Sequence, residues 1–561
     1  LFMLNITNNV FFITILGIFG LVAFWKAQKR IRLSLAKHPS LTGHLRFQKA
    51  FTSFLPRFSY SKDNWLSQDS APEHVISTRQ KGFNSLSNSL KEMAPKTINM
   101  SKDLSRSLPD LDFISKYKVP FQFSSVLDDL PLGAVWKSTD GNKLVDYDGN
   151  EFIDISGSYG VNLLGADFYK QSVDKGVANA RDFGTHLGGY HSVIFENIEK
   201  LKNITKKENI SFHMSGTEAV MQAVRLARFK TGKKKIVRFS GAYHGWWDDV
   251  QPGPGNPMPP SNNTLTLREM HINTLNLLRR RTDIACVLVN PIQVMHPNKS
   301  APGDSTLIDS SRSFALNVEE YKNWLTSLRR VCSEQNIILI FDEVFVGFRL
   351  ALGGAQEYFG VCADLVTYGK TLGGGLPIGV LAGDERFMKR YKEKKPGEIT
   401  FARGTFNAHP YVQSSMNIFL KKISVMAKNG LYEKQNETWK NRLIEINLVL
   451  KDNELPVRFC GIQTVWGVIY TKPSMFNWLL QFYLRKHLIN IGWIGTGRFI
   501  FNFSFSDRDF TTFKNRFVNA ALNMKQDGWW DSRAQLTNGQ LKKHFLLGLL
   551  QAQVKGDRTT G

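Results

Sequence analysis

Cysteine is scarce: four residues in 561 (Cys286, Cys332, Cys362 and Cys460), scattered and without CxxC spacing. That excludes a disulfide frame or a cysteine-built metal site and reads as buried thiols in a reducing compartment. Acid is short as well, with 48 Asp plus Glu against 72 Lys plus Arg, a formal net charge of +24. The basic excess is spread along the chain, as in Lys233-Lys234-Lys235 and Arg279-Arg280-Arg281, with no basic-aromatic recognition module. Nucleic acid is therefore not the expected partner; solvated faces, or attraction to an anionic membrane surface, account for the charge better. Internal repeats and low-complexity tracts are absent too. What remains is a chain long enough to bury a sizeable core and hold two or more domains.

Two segments carry the chemistry. Ile337-Ile338-Leu339-Ile340-Phe341-Asp342 is an apolar, β-branched run ending in an acid, the pattern of a buried parallel strand that delivers a carboxylate at its carboxyl end. Leu365-Val366-Thr367-Tyr368-Gly369 then delivers Lys370 into a turn rich in glycine, Gly373-Gly374-Gly375. An amine able to form a Schiff base, and an acid able to keep a pyridine nitrogen protonated, are the two requirements of pyridoxal phosphate chemistry. Crowded by glycine backbone at the dry end of a sheet, the lysine is expected to have a depressed pKa and to be nucleophilic near neutral pH. Upstream, Ile210 to Met214 reads as a strand, Ser215-Gly216-Thr217 as a tight turn, and Glu218 onward as a helix with apolar Ala219, Val220, Ala223, Val224 and Ala227. The exposed N–H groups of such a helix start, beside two hydroxyls, suit a phosphate dianion. Read singly, the lysine is a surface residue, the acid and Ser-Gly-Thr are helix caps and the glycines a flexible loop. Their order on successive β-α units favours the cofactor site.

These segments resemble those of the class III aminotransferases of fold type I, most closely the glutamate-1-semialdehyde aminomutase-like branch. The likeness runs from about Val145 to Ala520. It rests on His213-Met214-Ser215-Gly216-Thr217-Glu218-Ala219, Gly241-Ala242-Tyr243-His244-Gly245, Phe341-Asp342-Glu343-Val344 with Gly347-Phe348-Arg349, Gly353 to Val361, and Gly369-Lys370-Thr371-Leu372-Gly373-Gly374-Gly375. The resemblance implies that Lys370 carries the cofactor and shuttles the substrate proton, while Asp342 pairs with the pyridine nitrogen. It puts Gly216 and Thr217 on the phosphate with Ser215 beside them, Tyr243 and Val344 on opposite ring faces, and His244 as a neighbour. Thr405, in Arg403-Gly404-Thr405-Phe406-Asn407, matches the threonine that reaches the phosphate of a partner subunit, so a homodimer with shared active sites is expected.

The departures matter as much. Where the family usually reads Glu-Pro, this chain has Asn290-Pro291, so any role of that charge is gone. Gln293 is expected on the ring hydroxyl, as in some relatives. Met295 stands where the aminomutase branch often has asparagine, which speaks against the aminomutase reaction. Trp246 and Trp247 follow the Tyr-His-Gly turn and suit an apolar wall near the substrate, or core packing. Arg403, Arg498 and Arg349 are the candidates to grip a donor carboxylate. No metal site is expected.

At the amino end, Val10 to Trp25 is uninterrupted by charge and is followed by Lys26, Lys29, Arg30, Arg32 and Lys37. Its sixteen residues reach roughly 24 Å as a helix, which Leu4 to Asn9 extend into the bilayer range. The charge asymmetry predicts a single-pass membrane protein with a cytoplasmic catalytic domain. A signal peptide, which lacks its preceding charges here, and an interfacial or buried helix are the rivals. A helix is expected over Glu73 to Met93, an Asp-Gly hairpin over Lys143 to Asp154, and a short basic amphipathic helix over Leu541 to Val554.

The expected architecture is α/β: a fold type I aminotransferase with a mainly parallel central sheet and a smaller α+β domain, preceded by one transmembrane helix. Residues 1–35 form the anchor, 36–119 an extension, 120–165 the first part of the small domain, 166–415 the large cofactor domain, 416–532 the C-terminal small domain, and 533–561 a basic tail. The expected activity moves an amino group from an amino-acid donor to an aldehyde or ketone, a lipophilic one if the tether has a purpose. The alternatives are an aminomutase acting on a small amino-aldehyde and a non-catalytic membrane scaffold.

Overall fold

The strands Ile284–Val289, Ile338–Asp342 and Leu365–Gly369 are buried at every position, as their mainly apolar sequences suit strands covered on both faces. They sit inside a seven-stranded sheet of order Asn209–His213, Gly379–Gly383, Leu365–Gly369, Ile338–Asp342, Ile284–Val289, Lys235–Phe239, Thr264–Leu267. Gly379–Gly383 is antiparallel to both its neighbours and the other pairings are parallel. The computed structural model describes residues 2–39, 43–54, 58–117, 119–251, 253, 255–292, 317–492, 497–531 and 536–555, with side chains between 14 and 550. Gln293 and Met295 lie outside the described residues.

Helix Gly216–Thr231 follows the first strand, capped at its start by the Ser215 hydroxyl and ended by Gly232 in the left-handed region. It buries Ala219, Val220, Ala223, Val224 and Ala227 against the sheet. The smaller domain holds the expected hairpin, with Leu144 opposite Phe152, and Ile489–Asn490 adds parallel to its second strand. A three-stranded antiparallel sheet of Val457–Ile462, Val465–Tyr470 and Arg498–Ile500 completes it. Helix Glu73–Met93 forms as its periodicity predicts. Trp65, Phe83, Leu86 and Leu90 enter one core with Trp439, Trp466, Phe517 and Phe545, so the segment before the hairpin is part of the small-domain packing. Three cysteines are buried thiols, whereas Cys362 is exposed.

The expected membrane anchor is overturned. Phe2–Leu35 is helical, but no helix among the described residues is long and apolar enough to cross a membrane. Among residues whose side chains are described, the apolar stretch runs only from Thr14 to Trp25, about 18 Å of helix against about 30 Å of hydrocarbon. Asn5, Asn8 and Asn9 precede it and Lys26 ends it, so the transmembrane helix and the single-pass localisation both fall. The end of this helix docks on the large domain, where Ala36 is buried and its carbonyl accepts from Arg268 N at 2.8 Å.

Candidate active site

Strand Ile338–Asp342 delivers Asp342 at its carboxyl end, 3 % exposed. One carboxylate oxygen lies 2.8 Å from His244 Nδ1; the other accepts from Thr367 Oγ1 and Val344 N, each at 3.2 Å. His244 is fully buried. Burial, first, holds its imidazole below the ordinary histidine pKa, with Arg238 adding to this against the pull of Asp342. The ring is therefore neutral at pH 7, with Nδ1–H donating to the carboxylate.

The neighbouring strand ends in Gly369, and Lys370 follows in the left-handed region at φ 47°. A lysine there is strained by roughly 1–3 kcal/mol and is held by its surroundings. Its ammonium sits 4.8 Å from the Phe345 ring centroid, and the guanidinium carbons of Arg349 and Arg498 lie 5.5 and 5.7 Å from the same ring. Burial and these two cations, partly offset by Asp342, lower the Lys370 pKa to about 8. The amine is thus a usable nucleophile near neutral pH.

The turn Ser215-Gly216-Thr217 opens its helix beside this pair. A Cβ on Gly216 would stand 2.7 Å from Val344 Cγ1, and one on Gly245 2.6 Å from Thr217 Oγ1. Glycine is thus required where Val344 and the Tyr243 segment close on the helix start. Tyr243 is 52 % exposed, its backbone N–H held by Asn290 Oδ1 at 2.9 Å. The structure therefore brings together Lys370, Asp342, His244, Val344, Ser215, Gly216, Thr217 and Tyr243. Trp246 is 72 % exposed, whereas Trp247 packs on the core beneath the helix. Arg403 and Thr405 are exposed on the segment after the hairpin Tyr391–Ile399 and, among the described residues, form no hydrogen bond with Lys370 or Asp342. Gln293, outside the described residues, has no placement. Arg349 is buried and spent on Thr464 Oγ1, Phe501 O and Gly160 O, which ties the domains together and removes it as a carboxylate grip.

Two features escaped the sequence. Phe345 is the ring around which the three cations gather, though it directly follows the matched Asp342-Glu343-Val344 motif. Gly157 to Gly160 form a turn with four consecutive positive φ values, including the non-glycine Ser158 and Tyr159. A Cβ on Gly160 would stand 2.8 Å from the Phe345 ring, so this strained turn closes over the site. Its signal was the pair of glycines flanking Ser-Tyr.

A nucleophilic amine, a buried carboxylate paired with a neutral imidazole, an aromatic face and a helix start narrowed by Val344 fit a phosphorylated pyridine aldehyde. The fold and this site define a pyridoxal-phosphate-dependent enzyme of fold type I. Residues 126–249 and 317–469 match the family described as Aminotransferase class-III. Over 346 residues the chain is 32 % identical to a glutamate-1-semialdehyde 2,1-aminomutase of Hyperthermus butylicus, covering 61 % of this chain and 75 % of that protein. A solved transaminase with PLP bound superposes with a TM-score of 0.59 at 26 % identity, over 71 % of this chain and 92 % of that one. A glutamate-1-semialdehyde aminomutase from Pseudomonas aeruginosa, at 15 % identity, shares the fold with a TM-score of 0.64 over 80 % of this chain and 99 % of its own. The chain belongs to the class III aminotransferase family, and its cofactor is pyridoxal 5'-phosphate.

Proposed function

We propose that this enzyme moves an amino group from an amino-acid donor to a separate aldehyde or ketone. The observation that carries this reading is the gathering of Lys370, Arg498 and Arg349 around Phe345. A substrate carboxylate entering beside Lys370 meets positive charge with its amine directed at the reacting centre. Arg498, whose guanidinium carbon lies 5.7 Å from the Phe345 ring that Lys370 also faces, is our choice for that carboxylate. Arg403 and Trp246, both exposed, then belong to the rim of the entrance.

The cofactor, when bound, supplies the electron sink. The chain's own residues do the rest. Lys370 holds the cofactor and moves the proton at the substrate carbon. Asp342, oriented by His244, holds the proton on the ring nitrogen. Gly216, Thr217 and Ser215 take the phosphate, Tyr243 and Val344 flank the ring, and Gln293 is assigned to the ring hydroxyl. Thr405 is assigned to the phosphate of a second copy in a homodimer with shared sites; its exposure supports this. Two hydrophobic cores support a division into a large and a small domain, but Met416, Phe419, Leu420 and Ile423 of helix Pro410–Lys428 lie in the large-domain core, so the boundary we propose falls after that helix rather than at 415. A lipophilic acceptor loses its support with the anchor.

The second reading is an aminomutase acting on a small amino-aldehyde, favoured by the likeness to the Hyperthermus enzyme. The two are separated by the absorbance spectrum and turnover of purified enzyme with and without a panel of amino acids, with Lys370→Ala alongside. Conversion of the cofactor band by one amino acid, and turnover dependent on it, supports the transaminase. Isomerisation of an amino-aldehyde with no added donor overturns it.

A further inference from the structure

Asn290 stands where the family resemblance places an acid, and the strand Ile284–Val289 delivers it, 3 % exposed, at its carboxyl end. Its amide is used on both sides. Oδ1 accepts from Tyr243 N at 2.9 Å, and Nδ2 donates to the Asp342 carbonyl at 3.3 Å. The preceding residue of the tyrosine segment is also held, because Arg238 Nη2 donates to Ala242 O. One side chain thus joins the residue at a ring face to the residue at the ring nitrogen. We infer that Asn290 is a positioning residue that sets the width of the cofactor slot between Tyr243 and Asp342, a task that requires an amide and that a carboxylate cannot perform.

The balance of donors and acceptors decides the point. A carboxylate accepts only, so an acid at this position can hold Tyr243 N but leaves the Asp342 carbonyl facing another oxygen. A buried carbonyl deprived of its donor, next to an added charge, loosens the strand end that aims the Asp342 carboxylate. The inference rests on the proposed placement of the cofactor ring against Tyr243.

The test uses the full-length enzyme and two variants. Asn290→Asp keeps the shape and the acceptor but removes the donor; Asn290→Ala removes both. Affinity for pyridoxal phosphate, induced circular dichroism of the bound cofactor and the pH midpoint of its absorbance band are measured, with thermal unfolding of the cofactor-free proteins as a check on folding. Asn290→Asp is expected to weaken cofactor binding about tenfold, the worth of one lost buried hydrogen bond. It is also expected to raise the pH midpoint, since an added carboxylate favours the protonated band. Asn290→Ala is expected to reduce the induced dichroism without raising the midpoint. Wild-type affinity, dichroism and midpoint in both variants overturn the inference. Tyr243→Ala separates the levels. If it alone weakens binding, the bridge falls and the slot stands; if it too changes nothing, the placement of the ring falls.

Discussion

His244 Nδ1 lies 2.8 Å from Asp342 Oδ2, and both side chains are buried. The imidazole steadies the acid that we assign to the ring nitrogen of the cofactor. A hydrogen bond to a charged group contributes about 1.5–3 kcal/mol. His244→Phe is therefore expected to lower cofactor affinity by roughly 10- to 100-fold, with the fold retained. Titration of the cofactor-free protein with pyridoxal phosphate checks it, and unchanged affinity would show that Asp342 needs no support from this side.

Lys370 titrates at about 8, lowered first by burial and then by Arg349, with Arg498 adding to the effect against Asp342. Without cofactor, the folded value lies below the unfolded value of about 10.4. Between these two values the unfolded chain binds more protons, so the stability of the cofactor-free protein rises with pH across that window. Lys370→Met is expected to abolish that rise in thermal unfolding temperature between about pH 8 and pH 10. Incorporation of pyridoxal phosphate is expected to reach half its maximal rate near pH 8, where the amine loses its proton. Arg498→Met, by removing a cation, is expected to shift this half-point upward.

Asp342 and Lys370 were legible because each ends a short apolar run that has no stable home except a covered strand, and the end of a strand fixes where the next side chain is delivered. The hairpin at 143–154 and the helix at 73–93 were legible from turn chemistry and periodicity. Asn290 was read only as a missing charge. Its bridge depends on how strands 284–289 and 338–342 lie against the Tyr243 turn, which no linear pattern encodes. Trp246 and Trp247 were indistinguishable as apolar bulk, yet one is exposed and the other packed. The anchor failed for a related reason: local apolarity at Val10 to Trp25 was extended through polar residues to reach a bilayer's thickness.

Gly216 is set against Val344 so closely that an added Cβ would lie 2.7 and 2.9 Å from its two methyl groups. Gly216→Ala is expected to push the helix start away from Val344 and weaken phosphate binding. The double variant Gly216→Ala/Val344→Ala removes both clashing methyls and is expected to recover part of the affinity, although the Val344 Cβ remains at 3.4 Å. Cofactor binding to the two variants checks this. Equal loss in both would mean that the clash is not the cause.

The small domain offers a test away from the cofactor site. Arg79 is buried and paired bidentately with Asp69, both contacts at 2.8 Å, and donates to Leu66 O and Gly528 O at 3.0 Å. Its guanidinium also covers the Phe476 ring at 4.6 Å. One side chain thus joins the segment before the hairpin to the end of the C-terminal domain, next to the stacked pair Trp65 and Trp529. Removing one partner of a buried pair typically costs about 3–5 kcal/mol, because the other charge is left without compensation. Arg79→Met is expected to destabilise by about that amount, and Asp69→Leu/Arg79→Met by clearly less. Denaturant unfolding followed by tryptophan fluorescence reads both. The lost contacts are local, so limited proteolysis is expected to release residues 36–119 from Arg79→Met before the absorbance of the bound cofactor is lost. Simultaneous loss of the two signals would make the small domain and the cofactor site one cooperative unit, and the role of Arg79 global.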